Sequence, residues 1–185
     1  MKKLAILASG SGTNAEKIME FFKNSDKGEV TLLGSNKKDA FVLERARKFD
    51  IPSFTFTKKE LEDGSVLRSL EDADIDWVIL AGFLLKIPES LIQAFPEKMV
   101  NIHPALLPKF GGKGMYGMNV HKAVKEAGDR HTGITIHLVN ENFDEGKIIF
   151  QAATEVDPDD DPESIAQKVH ALEHQYFPGV IESLL

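Results

Sequence analysis

Short apolar runs alternate with stretches of helical period along this chain. That alternation confines it to an α/β fold, a largely parallel sheet covered by helices. Leu4 to Ala8, Val30 to Gly34, Ser53 to Phe56, Trp77 to Ala81 and Met99 to Ile102 read as strands. Ala15 to Lys23, Ala40 to Phe49, Glu60 to Leu70 and Glu89 to Phe95 read as the helices between them. After Ala123 the pattern changes. Thr132 to Val139 and Lys147 to Ala153 alternate as two strands joined by Asn140 to Gly146, which predicts an antiparallel hairpin at one edge of the sheet. Asp161-Pro162-Glu163 supplies an N-cap, a proline at the first helical position and an acid in the first turn, so a last helix runs toward Leu185. The expected architecture is a Rossmann-like three-layer sandwich with a mostly parallel central sheet, an antiparallel edge hairpin and a C-terminal helix. No repeat, low-complexity tract or linker divides the 185 residues, a length that suits one domain.

Charge and cysteine content narrow the function classes. A net charge of −7 with no basic block argues against general nucleic-acid binding, because phosphate backbones reward clustered Lys and Arg. A small-molecule substrate is the expectation. The absence of Cys excludes disulfides, thiolate catalysis and Cys-based zinc sites, and it agrees with a reducing compartment. Met1-Lys2-Lys3 before Leu4 to Ala8 imitates a signal peptide, but the apolar run stops at Ser9-Gly10, too soon for such a segment. The longest apolar run, Trp77 to Leu85, is far below the roughly 20 residues that span a bilayer. A soluble cytoplasmic protein without nucleic-acid or membrane partners is therefore expected, as a monomer or homodimer.

Three local features carry chemistry. Asn101-Ile102-His103-Pro104 follows a short apolar strand, and the proline disfavours a continuing helix, so the His is expected in a fixed loop. By themselves these four residues read first as a capped turn. An amide that can donate to an oxyanion, beside an imidazole that exchanges its proton near neutral pH, also suits chemistry on a carbonyl. The second feature is the turn Ser9-Gly10-Ser11-Gly12-Thr13-Asn14-Ala15 after the first strand. Its glycines let the backbone approach a ligand, and the following helix N-terminus favours an anion such as a phosphate monoester. The spacing Gly10-x-Gly12-x-x-Ala15 also satisfies a dinucleotide fingerprint, which keeps a nicotinamide or flavin oxidoreductase in play. That fingerprint expects an acid roughly 20 residues on, at the end of the second strand. Ser35-Asn36-Lys37 stands there instead, leaving Lys37 or Lys38 for the extra phosphate of NADP. The third feature is Asp144, in the hairpin connection Phe143-Asp144-Glu145-Gly146. An Asp beside a Gly usually serves the turn itself. If the hairpin lies beside the fifth strand, its carboxylate reaches His103, holds its tautomer and raises its pKa.

Taken together, Ser9-Gly10-Ser11-Gly12-Thr13-Asn14, Ser35-Asn36-Lys37, Ala40-Phe41, Glu44-Arg45-Ala46, Ala81-Gly82-Phe83, Asn101 through Pro108 and Asp144 resemble the phosphoribosylglycinamide formyltransferases. The Asn-x-His-Pro-x-Leu-Leu-Pro segment with a downstream Asp is shared by the wider group of enzymes using 10-formyltetrahydrofolate, and the Gly-Thr-Asn turn points to the glycinamide ribonucleotide branch. The resemblance implies formyl transfer from 10-formyltetrahydrofolate as co-substrate to the amine of phosphoribosylglycinamide, in de novo purine (IMP) biosynthesis, with no metal. It assigns Gly12, Thr13 and Asn14 to the substrate phosphate and His170 and Glu173 to its ribose or amine. Leu84, Leu85, Lys86, Ile87, Asn101, Asn140, Glu141, Asn142 and Phe143 would line the folate pocket. Asn101, His103 and Asp144 would be catalytic: the first two stabilise the tetrahedral oxyanion, His103 helps protonate the leaving nitrogen, and Asp144 supports the His charge. Residues 1–100 would form the phosphate-binding half and 101–185 the catalytic and folate-binding half.

Two departures from the family pattern stand out. Leu85 occupies a position where an Arg is usual. After Pro108 the segment Lys109 to Gly117 replaces an aromatic-Pro-Gly pattern, and four glycines within 111–117 predict a mobile lid. His121 is expected to cap or pack at the next helix. His131, His137 and His174 read as structural, as does His170 apart from the resemblance. The acidic run Asp157 to Glu163 lacks calcium-loop spacing and contains two prolines, so it reads as a solvated turn before a capped helix. A methionyl-tRNA formyltransferase would be expected to add a basic C-terminal domain, and a formyltetrahydrofolate deformylase an N-terminal regulatory one. Neither is expected here.

Overall fold

A computed structural model describes all of residues 1–185. In chain order the elements are β1 (Lys2–Ala8), α1 (Thr13–Phe22), β2 (Gly28–Ser35), α2 (Val42–Lys48), β3 (Ser53–Thr55), α3 (Lys58–Glu62), α4 (Ser65–Asp72), β4 (Trp77–Leu80), α5 (Glu89–Ala94), β5 (Met99–His103), α6 (Met118–Ala127), β6 (His131–Leu138), β7 (Ile148–Glu155) and α7 (Pro162–Leu184). One seven-stranded sheet has the order β3-β2-β1-β4-β5-β6-β7. The first five strands are parallel, while β6 runs antiparallel to β5 and β7 antiparallel to β6. The edge hairpin is therefore real, and it does lie beside the fifth strand.

Alternation along each strand divides the core between two faces. Leu4, Ile6 and Ala8 of β1, Ile79 of β4 and Val100 and Ile102 of β5 pack with α1, α2 and α7 in one cluster. Ala5 and Leu7, Val78 and Leu80, and Met99 belong to a second cluster with Leu61 of α3, Val66 and Leu70 of α4 and Leu91 of α5. Asn101 and His103 follow Met99 at a two-residue period, so they share its face. Both residues line a cleft.

Three boundaries differ from the sequence reading. The helix expected over Glu60 to Leu70 is two helices: Gly64, at φ 84, breaks the turn, and Asp63 Oδ1 accepts from Ser65 N–H at 3.0 Å to start α4. His103 is the last residue of β5 rather than a loop residue, because its register partner Thr135 on β6 extends the pairing to that point. Helix α6, which the pattern did not delimit, starts behind Gly117. At the C-terminus Asp161 caps α7 as expected, accepting from Ser164 N–H at 2.8 Å. Asp157 and Asp160 of the acidic run both pair with Lys168 at 2.6 Å, which accounts for that run as surface structure. No helix is long and apolar enough to cross a membrane.

Candidate active site

The strand order reverses between β1 and β4, which places a crevice at their C-terminal ends, where open α/β sheets bind ligands. The turn after β1 and the segment after β4 form its two lips, and they are tied together. Ser9 N–H donates to the Gly82 carbonyl at 3.1 Å, while the buried Ser9 hydroxyl accepts from Leu84 N–H at 3.0 Å and donates to Asn36 Oδ1 at 2.6 Å. The crevice continues along β5 to the hairpin as a cavity of about 570 Å³. Every residue expected from the sequence to act at the site lines it: Gly12, Thr13 and Asn14; Leu84 to Ile87; Asn101 and His103; Asn140 to Asp144; His170 and Glu173. Ser35, Asn36, Lys37 and Lys38 do not, so the end of β2, where a dinucleotide's ribose would be held, is outside the cavity.

At the phosphate end, Gly12 caps α1 in the left-handed region, at φ 74. Any Cβ there would lie 2.2 Å from Val42 Cγ2, so only glycine fits. The first-turn amides of α1 then open onto the cavity. Beside them, buried Glu173 accepts from Asn14 Nδ2–H and from His170 Nδ1–H, both at 2.9 Å. That bond from His170 to Glu173 raises the imidazole pKa above its ordinary value. Asn14 Oδ1 is buried without a hydrogen-bond partner.

The middle of the cavity holds the catalytic candidates. His103 Nε2–H donates to the Phe110 carbonyl at 2.8 Å, and Nδ1 faces Asp144 Oδ2 at 3.5 Å. Both ring nitrogens thus face oxygen acceptors, an arrangement that only the imidazolium satisfies in full. Burial nevertheless dominates and pushes the His103 pKa below its ordinary value, against the pull of Asp144 and Phe110. The upward shift expected from the sequence is therefore corrected: the carboxylate is in place, but desolvation of a side chain only 4% exposed outweighs it. Burial works to raise the Asp144 carboxyl, but its polar neighbours, the Gly112 amide and His103 among them, outweigh it, and the group sits below the usual carboxylate range. Asp144 Oδ2 takes the Gly112 N–H bond at 2.9 Å, so the same oxygen serves the Gly-rich segment and faces the imidazole.

His137, read from the sequence as structural, belongs to this site. It is the register partner of Asn101, and Asn101 Nδ2–H donates to its Nε2 at 3.0 Å. Nδ1 lies 2.9 Å from the Leu138 carbonyl, which can only accept, so the proton sits on Nδ1 and Nε2 is free to receive the amide. His137 thereby decides which end of the Asn101 side chain faces the cavity. A lone His on an apolar strand gives no hint of this. The cross-strand register would have found it, had the hairpin's pairing with β5 been fixed to the residue.

At the far end, Leu85, Ile87 and Val139 supply apolar wall, and the rim carries exposed Leu84, Tyr116 and Phe143. This end thus offers apolar contact surface, with Asn140, Glu141 and Asn142 beside it as polar lining. His121 lines the cavity too, buried with Nδ1 unpartnered. No group of three or more His, Cys, Asp or Glu is arranged to hold a metal ion.

A family model described as formyl transferase matches residues 2–181. The chain belongs to the formyl transferase family. Among relatives of this formyl transferase, the chloroplastic phosphoribosylglycinamide formyltransferase of Arabidopsis thaliana is 46% identical over 99% of the chain, which spans 65% of that relative's length. The phosphoribosylglycinamide formyltransferase of Bacillus subtilis is 40% identical over 100% of the chain and 95% of its own. In structure, glycinamide ribonucleotide transformylase 1 from Geobacillus kaustophilus superposes with a TM-score of 0.91 at 37% identity, covering 100% of this chain and 99% of that one.

Proposed function

We propose that this formyl transferase moves the formyl group of 10-formyltetrahydrofolate to the amine of N1-(5-phospho-D-ribosyl)glycinamide, giving the N-formyl product and tetrahydrofolate, as a step of purine biosynthesis. The observation that carries the reading is a single cavity running from a glycine-capped helix start, past Asn101, His103 and Asp144, to an apolar end rimmed by Leu84, Tyr116 and Phe143. The names of the Arabidopsis and Bacillus relatives, both phosphoribosylglycinamide formyltransferases, support the same substrate.

In this reaction the phosphate sits on the first-turn amides of α1, and Glu173 with Asn14 holds the ribose or amine. The amine lone pair attacks the formyl carbon, and the carbonyl electrons move to oxygen. The free N–H of Asn101, aimed by His137, and the His103 imidazole stabilise that oxyanion. Burial keeps His103 neutral at rest. The growing negative charge beside it then favours its proton, so the interaction is stronger in the transition state than before it. His103 takes up a proton released by the attached amine, and collapse re-forms the carbonyl and breaks the bond to the folate nitrogen, which leaves with that proton. Asp144 balances the imidazolium while His103 carries the proton.

Purified protein mixed with both substrates should release tetrahydrofolate only when the amine is present. Release without the amine would point to hydrolysis, and no release with both substrates would overturn the proposal. His103→Ala should lower kcat about a hundredfold or more, with a smaller change in the KM for the phosphorylated amine.

A further inference from the structure

The segment from Pro104 to Gly112 borders two cavities. Pro104 and Gly112 line the cleft already described, whereas Leu106, Lys109 and Phe110 join Asp129, Arg130, His131 and Thr132 around a second cavity of about 320 Å³. Leu106 and Phe110 make an apolar floor. Lys109 Nζ and Asp129 Oδ2 pair at 2.8 Å, which neutralises the one carboxylate in the lining. Arg130 is exposed and forms no ion pair, while its carbonyl is fixed by Val156 N–H at 2.9 Å. Thr132 is 2% exposed, yet its hydroxyl has no hydrogen-bond partner. A buried hydroxyl left unpaired is costly, and native interiors seldom keep one without a ligand or water to meet it.

We propose that this second cavity binds a small carboxylate or phosphate anion, held by the Arg130 guanidinium and the Thr132 hydroxyl, and that its occupancy is transmitted to His103 through Phe110. The unpaired Arg130 and the residue with the unmet hydroxyl line one space of suitable size, and the donor fork of Arg matches two oxygens of a carboxylate or phosphate. The route inward is short. Phe110 lines the second cavity, and its carbonyl accepts from His103 Nε2–H. Upstream, the segment is pinned: Thr135 Oγ1 donates to the Ala105 carbonyl and accepts from Leu107 N–H, and Gln151 Nε2–H donates to the Leu107 carbonyl. Movement on binding falls to residues 108–112, which carry the contacts to His103 and Asp144.

The test is an amide and imidazole NMR titration of the whole protein with sodium malonate and, separately, sodium phosphate at constant ionic strength. Saturable shifts are expected at Arg130, His131, Thr132 and Phe110, with the His103 ring resonances moving at the same midpoint. Arg130→Ala should weaken this binding about tenfold or more, and Thr132→Val by a smaller factor. Shifts at Gly10 to Asn14 under phosphate report the cleft and should survive both substitutions. Shifts at residues 130–132 that rise without saturating, or that Arg130→Ala leaves unchanged, overturn the site as an adventitious ion only. Saturation there with a still His103 overturns the coupling. None of these readouts depends on turnover, so failure here is separable from failure of the formyl-transfer proposal.

Discussion

His103 is held between two opposed demands, burial that disfavours its charge and two oxygen acceptors that favour it. Asp144→Asn removes the charge partner and leaves the burial, so the imidazole pKa should fall further from its ordinary value. Where protonated His103 is needed, the basic limb of the kcat/KM profile should move to lower pH in that variant, and an unmoved limb would assign it to another group. His137→Leu should lower kcat about tenfold with little effect on either KM, because the Asn101 amide loses the acceptor that fixes its orientation. A rise in both KM values together with the fall in kcat would instead mean the cleft had collapsed. Asn101, His103 and Asp144 were legible in the sequence because amide, imidazole and carboxylate are informative residue types near Pro and Gly. The direction of the His103 shift was not legible, since it is a difference between a local partner and a burial that many distant residues create. His137 was missed for the related reason that its meaning lies in what stands opposite it.

Glycines test how tightly the elements fit. On β6, a Cβ at Gly133 would lie 1.9 Å from the Ala152 carbonyl oxygen of β7, a clash with backbone that no rotamer relieves. Gly133→Ala should cost about 3 kcal/mol and should disturb the hairpin that presents His137, read by urea denaturation and by loss of substrate binding. Gly179, in the last turns of α7, has nothing within 4 Å of the same position. Gly179→Ala should stabilise by about 0.5 to 1 kcal/mol and leave turnover unchanged, since it only removes conformational freedom from the unfolded chain. The strands and most helices could be read from apolar periodicity, and α7 from its cap. The break at Gly64 was missed although Leu61 and Leu70, nine residues apart (70 − 61), would stand on opposite faces of one continuous helix of 3.6 residues per turn.

Acid stability is a property of the assembled histidines. His103, His121 and His174 are each pushed below their ordinary value chiefly by burial, while His170 is raised by its bond to Glu173. For the first three the unfolded chain binds protons that the folded chain resists, so stability falls as pH drops below the ordinary imidazole value of about 6.5. His170 works the other way: its contribution is full below that value and is lost as pH rises through its raised folded pKa. Three against one, thermal unfolding should shift to lower temperature between about pH 6.5 and 5, and His121→Gln, which removes a buried ring with an unmet nitrogen, should flatten that decline. An unchanged slope would mean His121 is hydrated in solution. One consequence of the sheet remains. Asn101 and His103 stand two positions apart on β5, so their spacing of about 6.5 to 7 Å is set by backbone extension and not by any loop. Changes of length or composition in the Gly-rich segment can therefore alter what holds the His103 ring and Asp144, through Phe110 and Gly112, while the distance between the two β5 positions stays as the strand rules it.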